Sequence, residues 1–354
     1  GDPIYTSLID YFSDDVLGNQ SKSWNKHWNA YLTHQNLPRR LLQQEYHVHF
    51  LSTSTHASIP EQYRDFKKVL ESTHNNPIKV MDASTKQVAR IRLFGNSKPS
   101  DNPMQSEICS HIGGQGNMFC RRCHAGGTQI EKASDDGYHQ LFMCSQPRSK
   151  EEIIVEVCLQ LEEACTGIQS RVKDHQTQTG IKDSYTQFWI DKLIHEAHAK
   201  QSAEPQCSIQ DIQHELMQWV QEHTNEIFSP FLTLKGFDPT TDTPIEILHT
   251  ILLGIVKYAW HPTHTSWNST QKQQYALRLQ ATNTDGLNIH AIRANYIMQY
   301  TNSLIGRQFK TVIQTAVFHV YDLVGPFEFR IWKSVCDLAA LVWFPEIFNL
   351  TEYI

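Results

Sequence analysis

The stretch Tyr5-Thr6-Ser7-Leu8-Ile9-Asp10-Tyr11-Phe12, running into Ser13-Asp14-Asp15, decides how this chain is read. Its aromatic and β-branched residues suit a pleated, half-buried surface, and it stops on two acids ahead of the turn residues Leu17-Gly18-Asn19. Working outward, Trp28 to Thr33 is a second strand, and Tyr46-His47-Val48-His49-Phe50-Leu51 alternates with period two as a third. Pro60-Glu61 then opens an amphipathic helix through Tyr63, Phe66, Val69 and Leu70. Proline is tolerated there because a first-turn N–H has no helical partner anyway. Ile78 to Met81 and Val88 to Phe94 are further extended pieces, the second leading into Pro99-Ser100-Asp101-Asn102-Pro103.

Three strands, a helix and another strand make the βββαβ order of an RNase H-like sheet, although antiparallel meanders begin the same way. Beyond Gly113 the texture changes: Gly113, Gly114, Gly116, Gly126 and Gly127 surround Cys120-Arg121-Arg122-Cys123 in a loop-rich module. From Glu151 to Val220 apolar residues recur at helical spacing, as in Ile153, Ile154, Val157, Leu161 and Ala164. Further helices are expected over 185–198 and 209–222, then from Pro244 through the apolar run Ile245–Trp260. More follow from Gln271 and over 292–304, 308–323 and 329–344. The expected fold class is α/β, with a first part of the sheet core over 1–112, a cysteine module over 113–148, a large helical insertion over 149–300 and return helices over 301–354.

The chain has 354 residues, 31 Lys+Arg against 37 Asp+Glu, and a formal net charge of −6. With 40% hydrophobic and 10% aromatic residues it can bury enough surface to offset chain entropy, which excludes a disordered or low-complexity class. The best apolar run, Ile245–Trp260, carries Glu246, His249 and Lys257 and is too short for a membrane span. Gly1-Asp2-Pro3 is no signal peptide, and the missing initiator Met suggests part of a longer chain. Eight cysteines are too sparse for a disulfide scaffold and fit a reducing compartment, nucleus or cytosol.

Two constellations could carry chemistry. If the strands before Asp14 and Asp101 are neighbours, both carboxylates emerge at one edge, and hard divalent ions favour such oxygens. Both sites are equally ordinary places for Asp in turns. Cys120 and Cys123 on a Gly-rich loop could give two thiolates to a Zn²⁺ that needs four ligands. Cys109, His111, His124 and Cys144 lie near in sequence, with His249, His261 and His264 further on. A redox pair or two merely buried thiols are the rivals. His249 on the apolar helix is more often a core residue than a ligand, and Glu246 in the first turn suits the helix dipole. Lys22, Lys26, Arg39, Arg40, Arg121 and Arg122 are candidate DNA contacts, although solvated faces and the acidic balance argue the other way.

Several strings together resemble the transposases of fungal CACTA (En/Spm-type) elements, Plavaka-like ones in particular. They are Ser13-Asp14-Asp15-Val16-Leu17-Gly18-Asn19-Gln20-Ser21-Lys22-Ser23-Trp24-Asn25-Lys26-His27 and Asn36-Leu37-Pro38-Arg39. Next come Ser100-Asp101-Asn102-Pro103-Met104-Gln105-Ser106-Glu107, the cysteine pair, Asp135-Asp136-Gly137-Tyr138-His139, and the run from Pro244 to Lys257, in the same order. The resemblance implies a DDE/D transposase that cleaves and rejoins DNA at transposon ends with Mg²⁺ or Mn²⁺. Its core would be RNase H-like, with a zinc-knuckle loop and a helical insertion, and it would act as a nuclear homo-oligomer. Asp14 matches the first catalytic acid, with Asp15 as its neighbour, and Asp101 matches the second. Cys120 and Cys123 match the zinc pair, and Glu246 with His249 the acid-xx-His motif, whose acid is usually Asp. His261 and His264 are closer together than the family's histidine pair. The third acid has no clear match; Glu328, Glu346 or a residue past 354 are the options. The alternative is an inactive or domesticated descendant that binds DNA or protein.

Overall fold

The computed structural model describes residues 1–16, 27–143, 145–287, 289–344 and 347–353, and of residues 15 and 16 the backbone alone. Lys22, Lys26, Cys144, Glu346 and the side chain of Asp15 therefore lie outside the described residues. The chain is mixed α/β and falls into two units, residues 1–244 and 245–354.

Five strands organise the first unit: β1 (Ile4–Val16), β2 (His27–His34), β3 (His49–Ser54), β4 (Ile78–Met81) and β5 (Val88–Gly95). Their order across the sheet is β3-β2-β1-β5-β4. β1, β2 and β3 are antiparallel neighbours, β5 lies parallel to β1, and β4 folds back antiparallel on β5. A parallel neighbour needs a crossover, and the helix Ile59–Asn75 lies on that connection. Ser58 and Glu61 form a capping box at its start, with proline in the first turn. Its buried face, Tyr63, Phe66 and Leu70, packs on Ile9 and Tyr11 of β1 and Ala30 of β2. Successive strand residues face opposite ways, so Phe12 stays 37% exposed on the far side of the sheet. Phe231, Leu234 and Phe237 return from later in the chain to close this core, Phe231 stacking on Tyr63 at 4.4 Å.

Two strands depart from expectation. β1 runs on through the acids: Asp14 pairs with Asn29 and Asp15 with Trp28, so both lie in the ladder and no turn begins at Asp14. β3 starts only at His49, while Glu45–His47 forms a 3-10 turn that leaves Tyr46 83% exposed. Alternation marks a surface that could be half buried; a partner strand must be opposite to bury it, and the β2–β3 pairs end at Leu32 and His49.

The rest of the unit is helical. Lys150–Cys165, Gln169–Thr179, Ser184–Ala203 and Ile209–Glu222 share a core that includes Val157, Leu161, Ile190, Leu193 and Leu216. Ser149, Asp183 and Ser208 cap three of these helices, and Gly180 ends another at φ +73° in the left-handed region that glycine adopts freely.

The second unit packs Leu248–Val256, Lys257–Ser266, Ser269–Gln280, Gly306–His319 and Pro326–Val342 around Trp260, Tyr275, Phe309 and Trp332. The helix expected from Ile245 begins at Leu248 instead and is π-wound to Val256 before becoming α. An almost wholly apolar run carries no stripe that would distinguish the two windings. The division suggested by the sequence at residue 300 lies inside this unit. Among the described residues no helix is long and apolar enough to cross a membrane.

Candidate functional site

The parallel pairing of β1 with β5 ends at Ile9 opposite Gly95, and the chain beyond Gly95 continues alongside β1. Asn96 N–H bonds Ile9 O at 2.8 Å, and Tyr11 N–H bonds Ser97 O at 3.1 Å. Asp10, a buried acid inside β1, ties this seam together. One carboxylate oxygen accepts from Asn96 Nδ2 at 2.7 Å and Ser97 N–H at 2.9 Å, and the other from Gln35. Further on, Ser13 Oγ meets Ser100 Oγ at 3.4 Å, both residues buried. Asp14 and Asp101 each follow this contact by one residue, and both are half-buried. Asp101 caps the helix Asn102–Ile108, its Oδ1 accepting from Met104 N–H at 2.9 Å.

Lys98 lies below this seam, almost fully buried between the rings of Tyr63 (5.1 Å) and Phe237 (4.7 Å). Burial pushes its pKa down to about 8, against the opposing pull of Asp10 and Asp242. Neither Asp10 nor Lys98 stood out in the sequence. The visible sign was a charged residue between Ile9 and Tyr11, where alternation expects a face and the chain supplies a carboxylate.

The cysteine loop is held by backbone contacts. His124 N–H bonds Gln146 O at 2.9 Å, Arg148 N–H bonds Arg122 O at 2.9 Å, and Cys123 bridges to Pro147. Arg148 Nε donates to the carbonyls of both Cys120 and Cys123 at 3.1 Å, and its Nη2 to Thr179 O at 2.7 Å. That clamp was not legible in the sequence. Both thiols are free and half-buried. Burial alone would raise the Cys120 thiol, but the Arg122 N–H, the Cys123 thiol and the Cys123 N–H outweigh it and hold it below its usual value. Burial and the neighbouring Cys120 raise Cys123. Such a pair suits a soft metal ion or redox chemistry.

The other nearby donors are engaged elsewhere. Cys109 donates to Pro239 O at 3.0 Å, and burial pushes its thiol up to about 11. His111 Nε2 meets Met118 O at 2.9 Å, and burial pushes its pKa down to about 4. His124 Nε2 lies 3.2 Å from Glu152. In the second unit His249 pairs with Glu246, which stays outside the helix and accepts the His249 N–H at 2.6 Å as a cap. His264 is buried against Trp260, with Nε2 unpartnered among the described residues and the ring of His261 at 5.6 Å. Glu328 sits in the first turn of Pro326–Val342. Among the described residues, no three His, Cys, Asp or Glu side chains converge as a metal ligand set.

Of the basic candidates, Arg39 and Arg40 are exposed on the short helix Arg39–Leu42. Arg121 is anchored by Asn102 Oδ1 at 3.2 Å and by Gln105 Oε1, and Arg122 reaches Thr241 O at 3.5 Å. No protein-family model and no curated protein matches the chain.

Proposed function

We propose that the first unit is an RNase H-like nuclease core and that the chain is the catalytic region of a DDE/D-type DNA transposase of the fungal CACTA kind. One observation carries the reading: β5 joins β1 in parallel after a helical crossover, and the seam continues to the Ser13–Ser100 contact, one residue short of both Asp14 and Asp101. Carboxylate oxygens from two adjoining segments are the donors that Mg²⁺ and Mn²⁺ favour. Asp14 and Asp101 would hold them, with Asp15 as neighbour and the third acid unassigned. Bound there, such ions activate the attacking oxygen and stabilise the leaving one in phosphoryl transfer. Asp10, Asn96 and Gln35 keep the two segments in register, and the cap at Met104 fixes the direction of Asp101.

Cys120 and Cys123 fit Zn²⁺ by their chemistry, because backbone N–H groups already favour the Cys120 thiolate. Zinc there would staple the loop that carries Arg121. On this reading DNA is the partner, and the working form is a homo-oligomer in the nucleus. One observation favours the rival, a DNA-binding descendant without catalysis: the Asp101 carboxylate is already committed to a helix cap.

The test uses the full chain with Asp14→Asn and Asp101→Asn, assayed for Mn²⁺-dependent nicking of supercoiled DNA and, by calorimetry, for Mn²⁺ binding. Loss of both activities in each variant, with unchanged melting, is the expected result. Nicking that survives both substitutions sinks the assignment. DNA binding by the wild type with neither nicking nor Mn²⁺ uptake leaves the non-catalytic reading standing.

A further inference from the structure

A cavity of about 660 Å³ opens beside the helix that Asp101 caps. Its wall includes Asn102, the first residue after Asp101, together with Ser106, Arg121, Lys182 and the backbone of Gly113 and Gly114. We infer that this cavity takes a backbone phosphate of a DNA strand, held between Lys182 and Arg121. The inference deepens the reading above and rests on it for the identity of the polyanion.

Two cations of different character support it. Arg121 is fixed in place by neutral partners, Asn102 and Gln105, and its Nε is buried with no hydrogen bond among the described residues. Among the described residues no carboxylate is among the charges acting on it; those are Cys109, Arg122 and Cys120. Its charge is therefore positioned without being neutralised, an arrangement that suits recognition of an oxyanion. Lys182 is half-exposed, and its ammonium makes no hydrogen bond or ion pair among the described residues. Only its backbone is tethered, N–H to Ser110 O at 2.8 Å. The next residue, Asp183, turns inward instead, buried on Ser110 Oγ and capping Thr186 N–H.

The remaining wall leaves room for a chain. A Cβ built on Gly113 or Gly114 meets nothing within 4 Å, and Gly113 holds φ +96°. Glu107 also reaches the wall, but it has an interaction of its own. His111 is neutral near pH 7 because burial lowers its pKa, so it adds no charge. The cavity thus presents two cations, Arg121 and Lys182, against the single carboxylate of Glu107, with two hydroxyl-bearing serines, Ser106 and Ser184, in the same wall. A free phosphate offers the same oxyanion chemistry as a strand, and the experiment separates the two.

Lys182→Glu is the informative variant, because among the described residues the side chain has no hydrogen bond or ion pair to lose. Affinity of the full chain for a short labelled duplex is measured by fluorescence anisotropy across a salt series in Ca²⁺, with Lys173→Glu as a control on an exposed helix face. The expected result is about a tenfold loss for Lys182→Glu and a log–log salt slope smaller by about one, as for one lost phosphate contact. Lys173→Glu should match the wild type. Calorimetry with inorganic phosphate gives the second arm. Lys182-dependent phosphate binding with duplex affinity unchanged overturns the strand assignment. No dependence on Lys182 for either probe, or no duplex binding by the wild type, overturns the inference. A Lys182-dependent duplex complex in a wild type that never nicks DNA leaves this pocket standing while the nuclease reading falls.

Discussion

Asp101 carries two separable duties, and a pair of substitutions pulls them apart. Its Oδ1 accepts the Met104 N–H at 2.9 Å, a helix cap. Its charge is the proposed ligand for a divalent ion. Asp101→Ala removes both, and loss of such a cap costs about 1 kcal/mol. In a domain of this size that is a fall in melting temperature of roughly 2–4 °C. Asp101→Asn keeps a capping oxygen, changes stability by only a few tenths of a kcal/mol, and removes the charge alone. The helix holds Met104 and Ile108 in the core and anchors Arg121 through Asn102 and Gln105, so a frayed first turn should also loosen the cysteine loop. Thermal melting gives the first quantity and Mn²⁺ calorimetry the second. The expected pattern is a lowered melting temperature for Ala only, with Mn²⁺ binding lost in both. Wild-type Mn²⁺ binding by the Asn variant would refute the ligand role, and an Ala variant that melts like wild type would refute the cap.

Other consequences are accessible to simple measurements. Lys98 has a folded pKa of about 8, below the ordinary 10.5. The burial cost of its charge is present in full below pH 8. It is relieved between 8 and 10.5, where the folded state releases the proton first. Wild type should therefore gain on Lys98→Met across that window, by about 3 kcal/mol at most; the difference between denaturation curves checks it, since buried Cys109 drives the opposite trend above pH 9. Tyr63→Phe deletes a buried hydroxyl that has no partner among the described residues, so stability should hold or rise by up to about 1–3 kcal/mol; a clear loss in urea denaturation would mean the hydroxyl is bonded. At neutral pH iodoacetamide should label Cys120 before Cys123, because the Cys120 thiol is held below its usual value and the Cys123 thiol above it, and added Zn²⁺ should protect both; mass spectrometry of timed samples reads the order.

The β-forming residues of Tyr5–Phe12 and the first-turn proline Pro60 were enough to place the first strand and the helix that follows the third. Local chemistry governs these features: a β-rich run, a capping box and a first-turn proline act within a few residues. The same holds for Ile209–Glu222, whose expected and observed bounds coincide. Where burial on one side was missing, the pattern misled, as at Tyr46, and where apolar residues surrounded the axis, as in Leu248–Val256, the winding was not encoded in any stripe.

The site divides along the same line. Position at strand ends made Asp14 and Asp101 candidates and the Cys-x-x-Cys spacing made Cys120 and Cys123 candidates, while the catalytic roles of the two acids came only from a resemblance to a family. Their surroundings came from the fold. Asp10 became a buried staple only when β5 aligned with β1 and brought Asn96 and Ser97 to its oxygens. Arg148 became the clamp of the cysteine loop, and Lys182 a half-exposed cation in a cavity wall, through contacts between segments tens of residues apart. A one-dimensional pattern states which groups a chain owns. Desolvation and convergence depend on which distant segments pack together, and three-dimensional packing alone decides that.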